Sequence, residues 1–161
     1  MNGLFKSEFP PLLVDGLHPL TMAALRQLCL ANFQASMTRP AIMQGLEDAI
    51  ETLVEARIGG ELWIDGSFLT EKIDPEDVDV TLRIDADFMN ELTPEQALAI
   101  NWFTTPGEAR KTHYCHGFVW VDYPNDHPSF AFGQNLRTYW LRQFGLSRSN
   151  EKKGIAVVQL P

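Results

Sequence analysis

The sequence predicts a mixed α+β fold, and three observations carry that prediction. Two segments of helical apolar periodicity come first. A strictly alternating strand follows, running through Val78, Val80, Leu82 and Ile84, and further helices and strands then interleave to the end.

The opening segment runs from Phe9-Pro10-Pro11 to Leu17-His18-Pro19. Its prolines hold the backbone extended, so residues 1–19 read as an arm on a single domain spanning 1–161. Thr21 is placed to cap a helix running to about Phe33. Pro40 suits the first turn of a second helix, where Ile42, Leu46, Ile50, Leu53 and Val54 recur at three and four residues and define a buried face. Gly59-Gly60 ends that helix. Leu62-Trp63-Ile64 forms a short apolar strand and leads into Asp65-Gly66-Ser67. In the next strand Asp79, Thr81, Arg83 and Asp85 alternate with the apolar set, which is the period of a half-buried strand. Thr93-Pro94-Glu95-Gln96 opens another helix: Thr caps, Pro takes the first turn and Gln answers three residues later. Phe118-Val119-Trp120-Val121 is a third strand, stopped at Tyr123-Pro124. Leu136, Trp140 and Phe144, spaced four apart, mark a last helix that Gly145 ends, and Ile155-Ala156-Val157-Val158 closes as a strand.

Composition narrows the class. With 161 residues, 45% hydrophobic and 21% charged, the chain is long enough to bury a core and too apolar for disorder. No apolar run approaches the ~20 residues that span a bilayer, and residues 1–11 lack the apolar stretch of a secretory signal. Two isolated cysteines, Cys29 and Cys115, make neither a disulfide framework nor a zinc pattern, so a reducing cytoplasm is expected. The net charge of −8 disfavours broad nucleic-acid binding. Residues 46–95 are rich in Asp and Glu, whereas Arg110, Lys111, Arg137, Arg142, Arg148, Lys152 and Lys153 lie in the last third. An acidic centre with a basic flank suits a metal–phosphate ligand; a solvated acidic surface gives the same statistics.

The chemistry-bearing stretch is Leu62-Trp63-Ile64-Asp65-Gly66-Ser67-Phe68 with Pro75-Glu76-Asp77-Val78-Asp79-Val80. After a strand, Gly lets backbone approach a ligand, and a serine hydroxyl with neighbouring amides can face phosphate oxygens. Residues two apart on a strand share a face, so Asp77 and Asp79 project side by side while Val78 and Val80 point away. Two adjacent carboxylates repel unless a cation lies between them, and all-oxygen sites favour Mg²⁺ or Mn²⁺. Either element alone is more often a turn or a polar strand edge; the combination on consecutive strands is the informative feature.

In these residues the chain resembles the nucleotidyltransferase (polymerase-β-like) superfamily, whose signature is Gly-Ser after one strand and Asp-x-Asp on the next. It resembles more closely a group of small, uncharacterised bacterial and phage-associated proteins with a minimal form of that fold. Their pattern covers most of the chain: Asn32-Phe33 to Thr38-Arg39, the 63–70 stretch, Pro75 to Asp79, His127-Pro128 and Lys153-Gly154-Ile155. The resemblance implies a mixed β-sheet flanked by helices, with Asp77 and Asp79 binding Mg²⁺ or Mn²⁺. It also implies that Gly66 and Ser67 hold the β- and γ-phosphates; Lys72 and Arg137 complete the candidate nucleotide-binding set. The implied reaction displaces pyrophosphate in line at the α-phosphorus of an NTP and moves the NMP to a protein or RNA acceptor.

The superfamily pattern includes a third acidic residue near the start of a later strand, where this chain has His116-Gly117. Asp122, at the far end of that strand, takes the third catalytic place if the strand is short or shifted in register. A second reading is a catalytically degenerate binding module, antitoxin-like or regulatory, with a protein partner. Small members of that superfamily often work in toxin–antitoxin or phage-defence pairs, and the resemblance implies such a setting here. Arg137, Arg142, Arg148, Lys152 and Lys153 surround an aromatic helix, either to clamp phosphates or as its solvated side. His113 and His116 are expected to be structural at the mouth of a strand.

Overall fold

The structure is a computed structural model and describes residues 6–161. The first five residues of the expected arm lie outside the described residues. In chain order the elements are β1 (Gly16–Pro19), α1 (Met22–Leu30), α2 (Arg39–Glu55), β2 (Gly60–Asp65), a 3₁₀ turn (Ser67–Leu69), β3 (Val78–Asp85), α3 (Ala86–Asn90), α4 (Pro94–Thr104), α5 (Glu108–His113), β4 (Cys115–Asp122), α6 (Phe130–Gly145) and β5 (Gly154–Leu160). The α+β class is as the sequence predicts.

Local chemistry explains the helix starts. The Thr21 hydroxyl accepts from the Ala24 amide, and Thr93 and Gln96 form a reciprocal capping box with Pro94 in the first turn. Helix α1 stops at Leu30, short of the expected Phe33, because the chain then turns through Ser36 towards α2. Helices α3 and α5 have no clear sequence signature; both are short, and α5 ends on Tyr114 in the left-handed conformation at φ 57°.

Five strands form one mixed sheet in the order β1-β5-β2-β3-β4. β2 runs antiparallel to β3 and β5, whereas β3 pairs with β4, and β1 with β5, in parallel. Gly16–Pro19, at the end of the opening segment, adds an edge strand beside β5. On one face Leu62, Ile64, Val78, Val80, Leu82, Ile84, Ala156 and Val158 pack with Leu25, Ile42, Met43, Leu46 and Leu53 of α1 and α2 and Ile100 and Phe103 of α4. On the other face Trp63, Trp120, Ile155 and Val157 pack under Trp140 and Phe144 of α6. The alternation in β3 is therefore literal: its valines and leucines enter the first core, while Asp79, Thr81 and Arg83 share the face that α6 covers.

One buried cation holds the segment that leaves β2. Arg39 is 0% exposed, and its guanidinium donates to the carbonyls of Cys29, Phe68, Thr70 and Lys72 at 2.5–3.1 Å. Phe33 stacks on it, with its ring centroid 3.6 Å from Cζ. Those carbonyls fix the path of residues 68–72, directly after Gly66-Ser67. The arm supports the same segment: the Leu12 amide donates to Leu69 O, and the Glu71 amide to Pro10 O.

Candidate functional site

The register brings one end of four strands together. Asp65, the last residue of β2, is paired with Asp79 of β3, and Asp79 is paired with His116 of β4. Lys153 lies just ahead of β5. Asp65, Asp79 and His116 all lie on the α6 face, at the end of the sheet beyond the Trp63–Trp120 pair, whose rings meet edge-on at 5.4 Å. Asp77 precedes β3 by one residue, in the same alternation as Asp79.

Gly66 joins these groups. Its backbone lies at φ 84°, ψ −168°, a region that only glycine occupies without strain. A Cβ at this position would stand 2.6 Å from Asp79 Oδ2 and 3.2 Å from the Asp79 amide nitrogen. The glycine is required because the Asp79 carboxylate fills the space a side chain would take. Ser67 follows on the 3₁₀ turn, its carbonyl accepting from the Thr70 hydroxyl at 2.7 Å.

Each of the three carboxylates is held through one oxygen by a basic side chain. Lys153 Nζ is 2.6 Å from Asp65 Oδ2, Arg110 Nε is 2.6 Å from Asp77 Oδ2, and His116 Nδ1 is 3.0 Å from Asp79 Oδ1. The other oxygen of each is left free by these contacts. Asp65 Oδ1 is buried and has no hydrogen-bond partner. Burial pushes the Asp65 carboxyl up to about 7, opposed by the Lys153 ammonium. Asp79 is also raised, first by desolvation and then by the like charge of Asp77, with His116 and Lys153 pulling it down. The site thus holds repulsion that a cation would relieve.

The structure brings together Gly66, Ser67, Asp77 and Asp79 as the sequence suggests. Arg137 joins the same face, its Cζ 5.6 Å from the Trp63 ring centroid, one side-chain repeat along β2 from Asp65. Lys72 lies in the loop that Arg39 holds and is half-buried. Asp122 is not brought to the cluster. It pairs with Asp85 at the opposite end of the β3–β4 ladder, six residues beyond His116 and so ~20 Å away. There its Oδ2 is held by Arg83 Nε at 2.8 Å and Nη2 at 2.5 Å. The expected third carboxylate at Asp122 is corrected on this ground: β4 is neither short nor shifted, and it begins at Cys115. His116 takes the place opposite Asp79.

Sequence reasoning gave Asp65 no role and placed Arg110 and Lys153 only in a general basic flank, without their carboxylate partners. Asp65 stood within the motif and reads as a turn residue before glycine; its partner lies near the far end of the chain. Among the described residues no group of three His, Cys, Asp or Glu side chains is arranged as a ready metal cage. Two carboxylates suffice for Mg²⁺, which completes its shell with water and phosphate oxygens, so Asp77 and Asp79 fit one such ion. His113 and His116 do not act as a pair: His113 ends α5 and stacks edge-on with Trp102 at 5.0 Å, while His116 faces Asp79. On α6, Trp140 is core and Tyr139 is half exposed, at 51%.

Fold and site together define a mixed α+β protein with a carboxylate-lined sheet end beside a glycine turn. A protein-family model described as "Family of unknown function (DUF6932)" matches residues 5–159, and the chain belongs to that family. No curated protein and no solved structure matches it.

Proposed function

We propose that the chain is a metal-dependent nucleotidyltransferase, moving an NMP from an NTP to a protein or RNA acceptor. The observation that carries this reading is the contact between Gly66 and Asp79: turn and carboxylate pair are built as one constellation, with Gly66 bare so that Asp79 can reach it. Asp77 and Asp79 would hold Mg²⁺ or Mn²⁺, which neutralises phosphate charge when bound. Gly66 and Ser67 would cradle the β- and γ-phosphates, and Arg137 and Lys72 would supply positive charge along the triphosphate. Positioning and charge neutralisation would account for most of the rate. A minimal nucleotidyltransferase fold accords with the mixed sheet and its flanking helices.

The setting proposed is cytoplasmic, in a toxin–antitoxin or phage-defence pair in which a partner protein recognises the acceptor. Two free, buried cysteines accord with a reducing compartment, and no helix among the described residues is long and apolar enough to cross a membrane.

A second reading has its own support. His116 occupies the place opposite Asp79 and Asp122 lies far away, which favours a binding module that retains the nucleotide site without turnover. Purified protein incubated in cell extract with each labelled NTP plus Mg²⁺ or Mn²⁺ separates the two. Transfer of label to protein or RNA by wild type and Asp122→Asn, but not by Asp77→Asn/Asp79→Asn, supports the enzyme. Absence of transfer, with nucleotide still raising the melting temperature of the wild type alone, favours the module.

A further inference from the structure

We propose that Asp65 is a cation-binding carboxylate of this site, supplied by β2 rather than β4, with its free Oδ1 and Asp79 Oδ2 seating one divalent ion between them. The inference deepens the reading above and rests on it.

Four observations converge. Asp65 and Asp79 are direct cross-strand partners on one face, which sets their Cβ atoms about 4.5–5.5 Å apart. The contacts made by Lys153 and His116 take Asp65 Oδ2 and Asp79 Oδ1. Asp79 Oδ2 is turned towards Gly66, the residue that follows Asp65. Asp65 Oδ1 is buried without a partner, in a side chain only 3% exposed. A buried carboxylate oxygen without a donor is costly unless something electropositive occupies its lone pairs.

Lys153 then plays the part of a counter-ion that competes with the metal. Its ammonium holds Asp65 Oδ2 and leaves Oδ1 to the ion, so removing it takes away a competing positive charge beside the site. Asp79 stands between Asp77 and Asp65, able to face a cation shared with either.

The test is Mn²⁺ titration of the full chain with inorganic triphosphate present, reading free Mn²⁺ by electron paramagnetic resonance, together with melting curves. Wild type, Asp65→Asn, Lys153→Met and Asp77→Asn are compared. Asp65→Asn is expected to weaken Mn²⁺ binding at least tenfold, and Lys153→Met to bind Mn²⁺ more tightly than wild type. A folded Asp65→Asn with wild-type affinity overturns the proposal and leaves Asp77 and Asp79 as the cation site. Should Asp65→Asn fail to fold, Lys153→Met decides. It keeps a buried carboxylate without its ammonium, so Mn²⁺ should raise its melting temperature by more than that of wild type. A purely structural ion pair gives an equal or smaller rise, which overturns the proposal. Failure of wild type to bind Mn²⁺ at all overturns the proposed function as well.

Discussion

Gly66→Ala is the substitution that most directly probes how the turn and the carboxylates are built together. The backbone conformation at this position costs a non-glycine residue about 1–3 kcal/mol. The new methyl would also meet Asp79 Oδ2 at 2.6 Å and the Asp79 amide nitrogen at 3.2 Å, and relieving such overpacking costs typically 1–3 kcal/mol. Asp79 has little room to yield, since its other oxygen is held by His116. A combined loss of roughly 3 kcal/mol lowers the melting temperature of a domain this size by ~6–12 °C. Gly16→Ala is the control: φ is 122° there, and an added Cβ meets nothing within 4 Å, so backbone strain acts without a clash. Scanning calorimetry of both variants, with Mn²⁺ binding measured in parallel, checks the reasoning. Gly66→Ala should melt below Gly16→Ala and lose Mn²⁺ affinity. If it melts no lower and binds Mn²⁺ like wild type, the close approach of Asp79 to Gly66 is refuted.

Three further outcomes are expected. Arg39→Met leaves three buried carbonyls and the part-buried Lys72 O without their donor, and, because each hydrogen bond to a charged group is worth ~1.5–3 kcal/mol, at least ~3 kcal/mol should be lost in urea denaturation; a loss within the scatter of surface substitutions contradicts that role. The Asp65 carboxyl is raised to about 7, well above the ordinary aspartate range, so between the unfolded and folded values the native state holds the extra proton and stability contributed by this group falls as pH rises. Wild type should therefore lose stability relative to Asp65→Asn between pH 5 and pH 8, and a difference that stays flat across that range contradicts the shift. Burial pushes the thiols of Cys29 and Cys115 up to about 12, so iodoacetamide at pH 8 should label neither in the native protein and both in urea. Stoichiometric labelling of the folded chain would contradict that environment.

Much of this architecture is legible locally. The alternation from Val78 to Asp85 gives both the strand and its two faces, and the capping chemistry at Thr21 and Thr93 gives two helix starts within a residue. Gly66, Ser67, Asp77 and Asp79 are legible because motif spacing and strand period act over a few residues. What stays hidden depends on pairing at long range. β4 begins at Cys115, earlier than its apolar run suggests, because Gly117 is needed where any side chain would strike Phe103 O of α4. That register places His116 opposite Asp79 and sends Asp122 to Arg83. Arg39 reads as the polar start of a helix, yet it is the buried clamp of the loop that follows Gly66-Ser67. The Asp65–Lys153 pair joins the second strand to the start of the last, and no local pattern in the sequence records it.

The central claim is that the nucleotide and its cation bind at the Asp65–Asp79 end of the sheet. Its most direct test is nuclear magnetic resonance of the isotope-labelled chain with an NTP mixture and substoichiometric Mn²⁺. Paramagnetic broadening of the amides of Asp65, Gly66, Ser67, Asp77, Asp79 and His116, with those of Asp85, Asp87 and Asp122 left sharp, is the predicted result. Broadening centred on Asp85, Asp87 and Asp122, or none anywhere, would contradict it.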